Sequence, residues 1–251
     1  MRRLFIGIVA ILAASTTVAQ INTTIVTSVN LAWGQKVLTT MGPSAATAHW
    51  FHVFGIAGRS YCAETGQAET TVFAERVEDS DIEIQDDTGT PIAFNDDPLE
   101  EPYNYFHSRA CWIPTLHGFN YIRVKAHQDT PVAEYLTLRV IETTLFCPWF
   151  FVAGDYNAFS LIRNTAGRAR DITVTWRGLS GVVAGTTTVT IPPNGTIVLN
   201  ARNFVNPAVF SNGSVEIAHA GSPEQIQGST TTLSGTTGLG FDAQFTQRKP
   251  W

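Results

Sequence analysis

The sequence predicts an all-β chain of two tandem antiparallel β-sandwiches, and three observations carry that prediction. Apolar and polar residues alternate at period two over much of the chain, the pattern of strands with one buried face. Turn residues interrupt the pattern at short intervals, as Asp87-Thr88-Gly89, Pro192-Pro193-Asn194-Gly195 and Asn212-Gly213. Helical periodicity is nearly absent after the N-terminal segment, and Pro207 limits residues 202–210 to a turn. Many short strands of this kind pack sheet on sheet, because each must bury its apolar face against another layer.

The N-terminal segment is read as an export signal. Arg2 and Arg3 precede an uncharged apolar run over residues 4–14, then polar Ser15, Thr16 and Thr17 and small Ala19. The run is shorter than the about 20 apolar residues of a membrane span, so cleavage is expected after Ala19, with 20–30 a lead into the first sandwich. The competing explanation is an uncleaved anchor. Cleavage removes two positive charges and no acid, taking the formal charge from −5 to −7. An acidic chain without a Lys/Arg cluster has no electrostatic footprint for nucleic acid or anionic lipid. The expected location is periplasmic, cell-surface or secreted.

Further along, residues 134–141 place Leu136, Leu138 and Val140 on one face. Residues 171–177 do the same with Ile172, Val174 and Trp176; residues 195–200 with Ile197 and Leu199; residues 214–219 with Val215 and Ile217. The composition changes near residue 143. Before it stand 16 of the 21 acids, and after it Thr, Gly and Asn dominate, so the boundary is placed there, giving sandwiches over 31–143 and 144–251. An oxidising compartment favours cysteine pairing. Cys62 and Cys111 lie in strand-like segments and Cys147 lies at the junction. Cys62–Cys111 is the expected pair with Cys147 left over, and the two other pairings stay open. Closing that loop stabilises by about 4 kcal/mol in the chain-entropy description.

Several segments of the first half resemble one family. These are His49-Trp50-Phe51-His52-Val53-Phe54, then Ala57-Gly58-Arg59-Ser60-Tyr61, and the acidic hairpin from Asp81 to Gly89. Ile92-Ala93-Phe94-Asn95-Asp96-Asp97, Gly118-Phe119-Asn120-Tyr121-Ile122-Arg123-Val124 and Tyr135-Leu136-Thr137-Leu138 follow in order. Together they resemble the bacterial pre-peptidase C-terminal domain over about residues 31–142, departing from it in the bulky His-rich first strand and the Cys62/Cys111 pair. The resemblance implies a jelly-roll-like accessory sandwich that accompanies exported enzymes and serves secretion, stability or attachment. The second half reads as an Ig-like sandwich, a likeness of fold that does not specify function.

Site candidates are few. Asp96, Asp97, Glu100 and Glu101 lie in a loop stiffened by Pro98 and Pro102, with Asp81 within reach in the acidic hairpin. Ca²⁺ takes about 6–8 oxygen ligands, which clustered carboxylates and loop carbonyls can supply; the competing explanation is a solvated surface with self-capped turns. No EF-hand spacing and no G-x-S-x-G occurs, and Gly178-Leu179-Ser180-Gly181 reads as a hairpin turn. His49 and His52 are three apart on a strand and face opposite ways, which spoils them as joint zinc ligands. His52 shares a face with Trp50 and Phe54 and is read as a packed, hydrogen-bonded histidine. Tyr103, Tyr105 and Phe106 form the most open aromatic loop and the expected binding surface, whereas Trp149, Phe150 and Phe151 are read as core at the domain interface. The functional expectation is an exported non-catalytic binding protein, with a polysaccharide or an envelope or matrix protein as partner. The alternatives are a hydrolase using the acidic loop and a purely structural spacer.

Overall fold

The computed structural model describes residues 24–41, 44–67, 79–95, 107–129 and 134–248. The signal segment, the acids at 96–101 and the aromatic loop at 103–106 lie outside them. The chain is all-β. Its first strands are β1 (Val29–Asn30), β2 (Lys36–Met41), β3 (Ala48–Gly55), β4 (Tyr61–Gln67) and β5 (Ser80–Gln85). They are followed by β6 (Pro91–Asn95), β7 (Arg109–Trp112), β8 (Gly118–Ala126) and β9 (Glu134–Glu142). Then come β10 (Leu145–Phe151), β11 (Tyr156–Asn164), β12 (Arg170–Gly178), β13 (Val183–Ile191) and β14 (Thr196–Asn200). The last are β15 (Asn212–His219), β16 (Ile226–Ser234), β17 (Gly240–Gln244) and β18 (Thr246–Gln247).

The described strands form four sheets in two facing pairs. A five-stranded sheet, β1-β3-β8-β5-β6, faces a four-stranded one, β2-β9-β4-β7. Between them Phe51, Val53, Tyr61, Ile82, Ile84, Ile122, Leu136 and Leu138 make one core. The second pair is β13-β12-β15-β10-β18 over β14-β11-β16-β17, with Phe150, Ile162, Ile172, Val174, Trp176, Val215 and Ile217 between them. The alternation read in the sequence is therefore the alternation of burial, because a strand presents successive side chains to opposite faces. One pairing departs from the antiparallel expectation. Val29 and Asn30, inside the segment read as a lead, pair in parallel with Phe51 and His52 and add an edge to the first sheet.

Residues 143 and 144 form a buried joint instead of a free tether. Thr143 N–H donates to Ser60 O at 2.8 Å, and Ser60 N–H donates to Thr144 Oγ1 at 2.8 Å. Buried Glu142 pairs with Arg59 at 3.3 Å and Arg248 at 3.7 Å, while Gln247 Nε2 donates to the Glu142 carbonyl at 2.6 Å. Burial pushes the Glu142 carboxyl upward against the pull of the two guanidinium groups. Cys62 and Cys111 stand directly opposite on β4 and β7 and are joined by a disulfide; Cys147 is free and buried. Trp149 corrects the expectation of a buried aromatic run. The register of β10 shifts between Cys147 and Phe150, which sends Phe150 into the core and leaves Trp149 46 % exposed, edge-on to Phe241 at 6.1 Å.

Candidate functional site

The outer face of β1-β3-β8-β5-β6 departs most from what a solvated sheet should carry. On β3 the inward residues are His49, Phe51 and Val53, so Trp50, His52 and Phe54 point out. On β8 the buried set is Asn120, Ile122 and Val124, so Phe119, Tyr121, Arg123 and Lys125 point out. The register sets these side chains in rows across the sheet: Phe54 beside Phe119, His52 beside Tyr121 and then Gln85, and Trp50 beside Arg123, then Glu83, then Phe94. Cross-strand neighbours on one face lie close enough for rings to touch.

They do touch. Phe54 and Phe119 meet edge to face at 5.7 Å, and His52 meets Phe119 edge to face at 5.1 Å and Tyr121 at 6.1 Å. The Arg123 guanidinium lies 6.0 Å from the Trp50 ring centre. These contacts hold the rings against one another while leaving Phe54 49 %, Phe119 44 % and Phe94 59 % exposed. Contiguous exposed aromatic surface rimmed by polar groups marks interaction sites in soluble domains.

An open groove of ≈ 670 Å³ runs along one end of this face. Trp50, Tyr121 and Gln85 line it, with Thr24, Ile25 and Val26 on one side and Asp87, Thr88 and Gly89 on the other. The latter wall is a stiff turn. Asp86 Oδ1 accepts from Thr88 Oγ1, Thr90 N and Thr88 N, which holds its carboxyl below the ordinary carboxylate range, and Gly89 takes φ 82°. The other wall is tied down where Ser28 Oγ meets His52 Nδ1 at 2.9 Å. His52 is thus hydrogen-bonded, and burial lowers its pKa, but it belongs to an open aromatic face.

Charge on the face cancels locally. Arg123 pairs with Glu83 at 3.5 Å. Lys125 pairs with Asp81 Oδ2 at 2.7 Å, and His127 Nδ1 meets Asp81 Oδ1 at 2.8 Å. Asp81, read as one of five calcium ligands, therefore has both oxygens engaged by side chains on or beside β8; the other four lie outside the described residues. Among the described residues no three His, Cys, Asp or Glu side chains are grouped to hold a metal ion. Tyr103, Tyr105 and Phe106 also lie outside the described residues. The aromatic face escaped the sequence reading, although β3 carried its signal: bulky side chains stand at both parities of His49-Trp50-Phe51-His52-Val53-Phe54, so one set had to face out.

No protein-family model and no curated protein matches the chain. Among solved structures it is similar to a glycosyl hydrolase family 2 member from Bacteroides cellulosilyticus DSM 14838, at 9% identity and TM-score 0.21, over 81% of this chain and 28% of that one. A beta-glucuronidase from glycoside hydrolase family 2 aligns at 10% identity and TM-score 0.20, over 84% of this chain and 24% of that one. A calcium-binding mutant of Bacteroides uniformis beta-glucuronidase 2 aligns at 10% identity and TM-score 0.19, over 83% and 28%. The chain thus spans about a quarter of the length of these proteins, and likeness at such TM-scores adds nothing to the reading of the site.

Proposed function

We propose that this chain is a non-catalytic binding module of an exported protein, and that its ligand is a neutral polysaccharide lying across the outer face of the β1-β3-β8-β5-β6 sheet. The observation that carries the reading is the groove floored by Trp50, Tyr121 and Gln85 and continuous with the ring cluster of His52, Phe54 and Phe119. Aromatic faces take the C–H faces of sugar rings, and an amide such as Gln85 exchanges hydrogen bonds with hydroxyls. The internally paired Arg123–Glu83 and Lys125–Asp81 leave no field to attract a polyanion or a charged membrane. Rings pinned by edge contacts lose little freedom on binding, which favours a ligand met by a rigid platform.

Export fits the chain's covalent chemistry. A cross-strand disulfide belongs to an oxidising compartment. Among the described residues no helix is long and apolar enough to cross a membrane. The resemblance of the first sandwich to the pre-peptidase C-terminal domain agrees with an attachment role beside a catalytic partner.

The test is depletion of the purified protein from solution by a panel of insoluble neutral polysaccharides. Wild type should be retained by at least one, and Trp50→Ala should weaken retention about tenfold or more, the cost of truncating a central aromatic anchor. No retention on any member of the panel, or undiminished retention of Trp50→Ala and Tyr121→Ala, would overturn the reading.

A further inference from the structure

The second sandwich carries the longest edge strand among the described residues. Strand β13 is nine residues long, lies at the end of its sheet, and pairs on one side only, with β12; no described segment pairs with its other side. Free edges are usually blunted by shortness, charge or proline. Here β1 and β18 have two residues each, β6 opens with Pro91, β7 has four residues including Arg109, β2 carries Lys36 and β17 carries Asp242; β14, Thr-Ile-Val-Leu-Asn, is also uncharged but only five residues long. Val-Ala-Gly-Thr-Thr-Thr-Val-Thr-Ile has no charge and no proline, and its threonines and valines favour extended backbone.

The outward side chains define what fits beside it. Thr186 and Thr188 are exposed on the outer face, and their hydroxyls already meet the neighbouring strand, Thr188 with Thr173 at 3.1 Å and Thr186 with Thr175 at 3.4 Å. A second β13 laid antiparallel about a two-fold axis midway between the two Thr187 residues brings Thr186 of one copy opposite Thr188 of the other. Both threonines keep the same face, because that register preserves side-chain parity. The hydroxyl rows then continue unbroken, Thr175–Thr186 into Thr188–Thr173 of the second copy and the reverse. Cross-strand threonine pairs are themselves stabilising, and no like charge is brought into contact.

We propose that this edge is a self-association site, joining two copies of the chain through antiparallel β13–β13 pairing centred on Thr187. The paired stretch is short, with a register shift where Trp176 and Arg177 meet Gly185 and Val183, so Gly185 to Val189 form its centre and the dimer depends on concentration. Two copies would present two aromatic faces to one polymer, and the second contact would then benefit from a raised effective concentration.

Sedimentation velocity from low micromolar to submillimolar protein tests this directly. The wild-type weight-average coefficient should climb from the monomer toward the dimer value. T186K/T188K should stay monomeric, since each lysine then faces another across the interface, and T186E/T188E should do the same. An equimolar mixture of the two variants should regain the dimer through paired Lys–Glu contacts. Both positions are exposed, so each variant should keep the wild-type circular dichroism and Tm. A wild type that stays monomeric throughout, variants that dimerise as wild type does, or a mixture that stays monomeric would each overturn the proposal.

Discussion

Trp50 and Trp176 stand in strands β3 and β12, one in each sandwich, and they have opposite fates. Trp176 is fully buried, stacked on Phe204 with ring centres 4.9 Å apart. Trp50 lies on the outside of its sheet, beside Arg123 and at the edge of the groove. Alternation says which residues share a face, but it says which face is inside only when the other set is polar. In β12 the other set is Asp171, Thr173, Thr175 and Arg177, so Trp176 had to be core. In β3 the other set is His49, Phe51 and Val53, and nothing local assigned Trp50 to either side.

Removing the buried ring should have the largest effect. Trp176→Ala should destabilise the protein by about 3–5 kcal/mol in chemical unfolding, the range for deleting a large buried aromatic side chain. If it proves as mild as an exposed substitution, Trp176 is not the centre of its core.

Acid should probe the second sandwich next. His219 is buried and its pKa is held down to about 4, first by burial, then by the charge of Arg170, against a hydrogen bond with the Thr143 backbone. The folded state keeps it neutral while the unfolded chain takes up a proton as pH falls through its ordinary value. This contribution is therefore complete above about pH 6.5 and is lost progressively toward pH 4. Its size is about 3 kcal/mol, since each tenfold loss of proton affinity on folding corresponds to about 1.4 kcal/mol. Calorimetry from neutral pH down to pH 4 should show a Tm decline that His219→Asn makes shallower, the amide oxygen replacing Nδ1 as acceptor for Gly221 N–H. An equal decline in both proteins would place the acid sensitivity elsewhere.

Two milder changes sharpen the contrast. The buried Trp176 Nε1 meets no acceptor among the described residues. Trp176→Phe removes that unpaired donor along with some packing, so its cost should stay within about 1–2 kcal/mol, well below that of the alanine variant. Smallest of all is the stability effect of Trp50→Ala, about 1 kcal/mol for a half-buried ring lying beside Arg123, although it should remove most polysaccharide retention. A Trp50→Ala protein that unfolds readily would mean that the outer rings serve packing before binding.

Much of this was legible in the residues. The all-β class, the inward sets of β9, β12 and β15, and the turns at Asp87–Gly89 and Pro192–Gly195 follow from parity and turn chemistry, which depend on near neighbours alone. Asn212-Gly213, read as a turn, instead opens strand β15, where Asn212 pairs with Phe151 and Gly213 with Phe150 and Gly178, because neighbouring strands on both sides hold the backbone extended. The groove was not legible, because its floor joins Trp50 on β3, Tyr121 on β8 and Gln85 on β5 with the segment at Thr24–Val26. Those residues are separated by long stretches of chain and meet only through strand register. Trp149 shows the same limit on a smaller scale, since a register shift in β10, invisible in composition, turned it outward.

Local sequence decides that the chain is built of strands and which side chains share a face, and it places three cysteines along the chain. Tertiary structure alone decided which face of β3 is core, that Cys62 stands opposite Cys111, and that β13 has an open edge. The physical reason is the range of the forces involved. Backbone geometry fixes alternation residue by residue, whereas burial, pairing and exposed edges depend on which sheet comes to rest against which.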